Sequence, residues 1–492
     1  MGKQIKKPFI LLSIFFLLLA FMPFSKTKVT AHADEIVANS ITVFSWEDYI
    51  DESVLIEFEI ETGIHVDYYT FSTNEEMYNE IAKDPDACDL LCPSEYMIMK
   101  MVDENLIKEF DMPQGYKQNV SPYIYDKFKE LGLSTDEKTY TCGYMWGTMG
   151  YLFNADKFSA DDFETWTSIL NMPELEKKIS IKNSIRDTYI MAVAMVYQEE
   201  LLLLKAEYQE YLDSHNQEKI AEYNAKLTEI FNRRDQETVY KVERILVELK
   251  PKLYAFEVDA GKDDIISGKI DVNFAWSGDA VFAIDEAQKV GKNLGYAVPK
   301  EGTNVWFDGY VMTHNSRAKE LASIKFLDYI SRPEIAIRNM EYIGYTSVIG
   351  GQSVFDWMID YFELETQETE GYEKVDLSYF FSDGSSEYVA YSGTSNRQFF
   401  AQYPPQDIIY RSAVMANFSD SELATLNQMW SRVKLITLPN YVLIIIAVII
   451  VLGIVAFIIY KFKDKIFEKR IVKEQLKPRR RNCKVLKIEK IK

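Results

Sequence analysis

The chain has 492 residues, 47% of them hydrophobic, with 55 Lys+Arg against 75 Asp+Glu and a formal net charge of −20. Such a balance argues against nucleic acid and other polyanions as partners and favours cations. Four Cys and four His, in no zinc-like spacing, point to no metal site, and no cofactor motif appears.

Lys3, Lys6 and Lys7 precede an apolar run from Phe9 to Phe24 and then Ala31-His32-Ala33. Charged, apolar and small-residue segments in that order form a secretory signal. Residues 1–33 are therefore expected to be removed, leaving Asp34 first in an exported domain. Retention of the run as an anchor is the alternative, and either use places the next domain outside the cytoplasm. No Cys near the cleavage site could accept a lipid.

The exported part opens with Ile41-Thr-Val-Phe-Ser-Trp46-Glu-Asp-Tyr49, a strand running into a helix start. Helical spacing follows from Val54 to Glu61, a stop at Thr62-Gly63, and a second strand from Ile64 to Tyr69. Strand, helix and strand within about 30 residues make a βαβ unit and predict a parallel sheet. Ligands of such sheets sit at the strands' carboxyl ends. Trp46 and Tyr49 lie at one of these ends. After a helix opening at Asn74-Glu75, the strand from Cys88 to Cys92 places Ser94 and Tyr96 at another.

Tyr144-Met-Trp146-Gly147 to Asn154 reads as a long apolar strand crossing into a second lobe. Ile179-Ser-Ile-Lys182 leads to the turn Asn183-Ser-Ile-Arg-Asp187, which puts Asp187 in a helix's first turn. There a capping or dipole role competes with a ligand role. Glu199 to Glu248 is charged and free of Gly and Pro, and predicts a hairpin of two helices with a solvated face. Ile270-Asp-Val-Asn-Phe-Ala-Trp276-Ser-Gly-Asp279 again ends a strand with an aromatic and an acid. Ala297 to Gly302 is a second crossing. It leads into Val305-Trp306-Phe307-Asp308-Gly309-Tyr310, where side chains two apart share a strand face. Trp306 then offers a π-face and Asp308 a charge on the same side, a pairing suited to an organic ammonium ion. On its own the stretch also reads as a core Trp beside a loop-capping Asp.

Tyr441 to Tyr460 has 20 residues without charge or proline, enough to span a bilayer as a transmembrane helix. Residues 461–492 carry 14 basic and 4 acidic side chains, so the tail is expected to be cytoplasmic. Residues 34–440 then hold 36 basic and 71 acidic residues, a charge near −35. Cys88, Cys92 and Cys142 fall outside and Cys483 inside. Three cannot all pair within one chain, and one disulfide, such as Cys92 to Cys142, stays open.

Taken together, Trp46-Glu-Asp-Tyr49, Glu61-Thr-Gly63-Ile64, Asn74-Glu75, Pro93-Ser94-Glu-Tyr96, Tyr144-Met-Trp146, Trp276-Ser-Gly-Asp279, Pro299-Lys-Glu-Gly302, Trp306-Phe-Asp308 and Ile343-Gly-Tyr345 resemble the spermidine/putrescine-binding proteins of bacterial polyamine ABC transporters. The resemblance runs from about Ile41 to Leu435. It implies an α/β, two-lobed periplasmic-binding-protein-like fold (type II) with hinge crossovers, in a domain spanning 34–435. Lobe 1 is expected over about 41–145 and 303–346, and lobe 2 over about 150–300 plus the C-terminal helices to 435. A transmembrane helix at 441–460 and the basic tail at 461–492 complete the expected organisation.

The resemblance further implies that Trp46, Tyr49, Tyr96, Trp276, Trp306 and Tyr345 box the ligand's methylene chain and that Ser94 bonds along the wall. Asp308 resembles the central ammonium anchor, Asp187 stands where many members have Glu, and Asp279 resembles an acid of putrescine-preferring relatives. Ser184 departs from the further acid of many spermidine binders, which leaves the preferred chain length open. The family's amide contact is not assignable among Gln398, Gln402 and Gln406. The implied partners are putrescine or spermidine and the permease subunits in the same membrane, with a monomeric binding domain. An exported hydrolase is disfavoured by the absence of G-x-S-x-G and H-E-x-x-H. A sensor ectodomain for another small cationic or amino-acid-like solute is the second reading, distinguished by whether permease and ATPase genes lie beside this one.

Overall fold

Ile41, Val43 and Ser45 alternate inward along β1 (Ser40–Trp46), and the strand pairs in parallel with β2 (His65–Phe71). Between them runs α1 (Glu52–Thr62), capped by the Asp51 carboxylate at its start and closed by Gly63 at φ 71°. This is the βαβ unit expected from the sequence. The structure, a computed structural model, describes residues 36–382, 387–393, 397–435 and 447–461.

Further along lie α2 (Asn74–Lys83), β3 (Leu90–Leu91) and α3 (Glu95–Asp103), followed by the 14-residue β4 (Thr141–Asn154). Then come β5 (Ile179–Lys182), α4 (Ile185–Val196), α5 (Gln198–Asp213), α6 (Gln217–Phe231), α7 (Gln236–Leu249) and β6 (Leu253–Glu257). After α8 (Ala260–Ser267) follow β7 (Val272–Trp276), α9 (Ser277–Lys289), β8 (Leu294–Ala297) and β9 (Thr303–Met312). The elements that complete the sheet are α10 (Arg317–Ile330), α11 (Pro333–Ile343), β10 (Thr346–Ser347) and β11 (Ser412–Ala413).

An 11-stranded sheet runs in the order β2-β1-β3-β9-β4-β7-β5-β6, with β8 and β10 on β4 and β11 on β9. The first half of β4 pairs with β9 and its second half with β7 and β8. One strand thus belongs to both halves of the sheet, as a crossover should, and residues 298–302 link the halves again. Beneath the second half, Leu152, Ile265, Ile270, Ala275, Val281 and Ile284 form an apolar cluster. Burial of each large side chain there contributes about 1.5–3 kcal/mol.

One expectation needs correction and one open question closes. The stretch 199–248 forms three helices rather than a hairpin of two. His215 at φ 52° and the Asn216 cap break the first from the second, and Asp235 accepts from Glu237 and Thr238 N–H to start the third. Polar caps end helices without Gly or Pro. The disulfide left open does not form, since Cys88, Cys92 and Cys142 are free and buried.

The chain divides into compact units at 1–427 and 428–492. In the second, residues 447–461 are helical with exposed side chains. Among the described residues no helix is long and apolar enough to cross a membrane. The expected signal at 1–33, the first six residues of the expected span and all but the first residue of the tail lie outside the described residues.

Candidate functional site

Asp308 sits where the register of β9 against β4 slips, between Asp308 and Gly309. Such a bulge re-aims side chains. Here it meets the turn before α3, where Ser94 bridges Asp308 and Gly309 N–H donates to the Pro93 carbonyl at 3.1 Å. Asp308 is 6% exposed. Its Oδ2 accepts from the Tyr49 hydroxyl at 2.7 Å, while among the described residues Oδ1 has no hydrogen-bond partner. Burial pushes its pKa up to about 6, restrained by the Tyr49 hydroxyl and reinforced by the charge of Asp187. A buried carboxylate with an unfilled oxygen is costly, and a cationic N–H donor would relieve the cost.

Aromatic rings enclose this group. Tyr49 meets Tyr345 edge-on at 5.4 Å between centroids, and Trp306 lies 5.6 Å from Tyr345. Tyr345 follows Gly344, which ends α11 at φ 79°, and its ring lies against Gly278 in the first turn of α9. A Cβ at Gly278 would enter that ring, so close approach requires glycine there. Tyr49, Trp306, Asp308 and Tyr345 are therefore brought together.

A second cluster lies across Tyr345, whose hydroxyl donates to Asp279 Oδ1 at 2.8 Å. Asp279 Oδ2 accepts from Lys182 Nζ at 2.8 Å. The same ammonium donates to the Val258 carbonyl at 2.8 Å, lies 3.2 Å from Glu257 Oε1, and sits 4.0 Å from the Trp276 ring centroid. Burial works against charge on Lys182, yet Asp279 and Glu257 hold its pKa above the ordinary lysine value. Burial also opposes charge on both acids. Lys182 overcomes it at Asp279, which stays below its usual value, but not at Glu257, which is raised. Asp279 has the shorter contact to Lys182 and is helped further by Lys262 and the Tyr345 hydroxyl, whereas Glu257 is opposed by the charge of Asp279. Asp279, expected to hold a ligand ammonium, is thus engaged by the protein's own.

The remaining expected residues have other neighbours. Trp46 packs on Phe71 at 4.7 Å. Ser94 starts α3 without a side-chain cap bond, and its Oγ accepts from Asn74 Nδ2 at 3.1 Å. The Tyr96 ring is covered by the Arg186 guanidinium at 3.3 Å, and its hydroxyl donates to Glu75 Oε1 at 3.3 Å. Asp187 occupies the first turn of α4, and its N–H donates to the Ser184 cap at 3.3 Å. Its carboxyl pKa is raised by burial against the pull of Ser184, Lys182 and Arg186. Serine at 184, a departure from the family pattern, therefore does capping work.

Sequence reasoning overlooked Lys182, Arg186 and Glu257. A signal existed for two of them: Lys182 ends β5, Glu257 ends β6, and the parallel register places them side by side. They occupy the same carboxyl-end positions that singled out Trp276. A groove lined by Tyr197, Glu200, Leu203, Glu207, Lys226 and Arg233 shares no residue with these clusters.

Acids and aromatics thus gather at the strand ends of one mixed sheet. The chain belongs to the bacterial extracellular solute-binding protein family, whose profile matches residues 55–352. It is similar to the spermidine/putrescine-binding periplasmic protein of Escherichia coli (strain K12), 25% identical over 317 residues, covering 64% of this chain and 78% of that one. The putrescine-binding periplasmic protein of the same organism is 26% identical over 319 residues, covering 63% and 77%. Among solved structures, the spermidine/putrescine ABC transporter substrate-binding protein of Streptococcus pneumoniae superposes with a TM-score of 0.55 at 22% identity, covering 81% of this chain and 99% of that one. A lipoprotein of Treponema pallidum gives 0.56 at 15%, covering 80% and 99%. These likenesses establish the periplasmic-binding-protein fold. Family members bind solutes and are not enzymes.

Proposed function

We propose that this chain is the extracytoplasmic binding component of a polyamine ABC transporter and captures putrescine or spermidine for permease subunits. The observation that carries the reading is the open oxygen of buried Asp308 beside Tyr49, Tyr345 and Trp306. The names of the relatives support the substrate class. In this reading Asp308 anchors a ligand ammonium while Trp306, Tyr345 and Tyr49 flank the methylenes. Ser94, Tyr96 and Trp46 line one wall, and Asp187 and Trp276 line the other. Micromolar capture takes about −8 kcal/mol. A few charge-assisted hydrogen bonds and apolar contact along a butyl chain supply that order of energy. Calorimetry of the purified full chain against putrescine, spermidine, cadaverine and alanine tests the reading. Micromolar or tighter binding of polyamines, with none of alanine, is expected. Absence of polyamine binding would overturn it.

The reading includes topology: a signal at 1–33, an exported monomeric binding domain, an anchor at 441–460 and a cytoplasmic tail. The apolar and basic patterns of these stretches support it. In sealed cells an impermeant thiol reagent should leave Cys483 unlabelled, and labelling would place the tail outside.

A further inference from the structure

Lys182 is 1% exposed at the carboxyl end of β5, beside the end of the parallel β6. What surrounds its ammonium is what a ligand ammonium would need. Asp279 and Glu257 supply charge, the Val258 carbonyl an acceptor, and Trp276 a ring face at 4.0 Å. A lysine side chain is itself a four-carbon alkylammonium, the same chemical unit as one end of a diamine.

The Lys182 cluster is joined to Asp308 by two tyrosines. Tyr345 donates to Asp279, Tyr49 donates to Asp308, and the two rings meet edge-on at 5.4 Å. One carboxylate of this chain has an open oxygen and the other has none. Asp279 Oδ2 is taken by Lys182, Oδ1 is taken by Tyr345, and Lys262 Nζ lies 3.6 Å from Oδ1. With Asp279 and Glu257 facing Lys182 and Lys262, the cluster is locally neutral. An added cation would meet the like charges of Lys182 and Lys262, and both oxygens of Asp279 already accept a hydrogen bond.

We propose that Lys182 is a specificity-determining residue whose ammonium fills the Trp276, Asp279 and Glu257 subsite, so that the cleft admits a ligand cation at Asp308 and refuses one at Asp279. This rests on the cationic-solute reading and deepens it. The protein supplies one ammonium itself, and the ligand is limited to what fits beside Asp308. A triamine reaching both carboxylates is selected against.

Lys182→Met keeps the side chain out to Cε and removes its ammonium, freeing Asp279 Oδ2 and Glu257. In calorimetry on the full chain, the affinity ratio of spermidine to putrescine should rise at least about tenfold. Lys182→Arg, which retains a cation, should keep a ratio close to that of the unmodified chain. If Lys182→Met fails to fold, Lys182→Met with Glu257→Gln leaves Asp279 as the one acid of this cluster and should shift the ratio in the same direction. A ratio unchanged within twofold in the folded variant would overturn the proposal and leave Lys182 as a structural ion pair.

A second readout separates this failure from that of the underlying reading. Millimolar n-propylammonium, which replaces what Lys182→Ala removes, should raise the melting temperature of the Lys182→Ala variant by several degrees more than that of the unmodified chain, where Asp308 alone can take it. This result stands whether or not polyamines are the natural solute. Lack of rescue would overturn self-occupation of the subsite, whereas an unmodified chain that binds no polyamine would overturn only the assignment of the solute.

Discussion

At Asp308, burial and cation capture place opposite demands on one carboxyl group. Its pKa of about 6 in the folded chain, against about 3.9 for an unperturbed aspartate, means that folding draws the proton on. Between those values the folded chain binds more protons than the unfolded one, so stability falls as pH rises through the window. The ionised group then costs about 3 kcal/mol above pH 6. A bound ammonium reverses the preference by stabilising the carboxylate. Putrescine affinity should therefore weaken as pH falls below about 6, approaching tenfold per pH unit, and binding at pH 6 should release protons measurable by calorimetry in buffers of different ionisation enthalpy. Asp308→Asn should flatten this pH dependence. The same variant should lose at least about 30-fold in affinity at pH 7, since truncating a buried charge partner costs about 2–5 kcal/mol. Its melting temperature at pH 7 should stay level or rise. A destabilised Asp308→Asn protein with unchanged affinity would mark Asp308 as a structural cap.

Among the elements, those whose ends carry strong backbone signals were legible from sequence. The first βαβ unit, the strand into Ser94 and Tyr96, and the long crossing strand all form where pattern and turn residues agree. The Trp306 and Asp308 pairing was legible too, because strand alternation put both on one side, and both now meet the Tyr49 and Tyr345 pair. What sequence hid depends on contacts between strands far apart in the chain. Lys182 and Glu257 are 75 positions apart and become neighbours only through parallel pairing. Arg186 covers Tyr96 from a helix that no local pattern links to it. Gly278 illustrates a third kind of hidden constraint. It lies in a helix, where Ala is ordinarily better by up to about 1 kcal/mol. Its Cβ would nonetheless enter the Tyr345 ring, which is held by Asp279 and Trp306 and has no flexible end to yield. Overpacking of this kind typically costs about 1–3 kcal/mol. Gly278→Ala should thus lower the melting temperature by several degrees and weaken polyamine binding, and a stabilised variant with unchanged affinity would show that Tyr345 can move aside freely.

Over the whole molecule, charge and site act on different steps of capture. Residues 34–440 carry 36 basic against 71 acidic side chains, so the long-range field attracts a doubly charged diamine before any contact forms. Near physiological salt that field is screened within about 8 Å, whereas the buried Asp308 carboxylate is screened much less. The two contributions should separate in stopped-flow kinetics. Raising ionic strength from 20 to 500 mM, roughly a fivefold shortening of the Debye length, should slow putrescine association at least several-fold while leaving dissociation nearly constant. Asp308→Asn should do the reverse, since one charge among 71 acids barely alters the distant field but removes the bound cation's counter-ion. Its association rate and salt dependence should match the unmodified chain, and the loss should appear in faster dissociation. A salt-independent association rate would mean that the acidic surface serves solubility alone, and a salt-dependent dissociation rate would mean that the bound ammonium is open to solvent instead of enclosed by Tyr49, Trp306 and Tyr345.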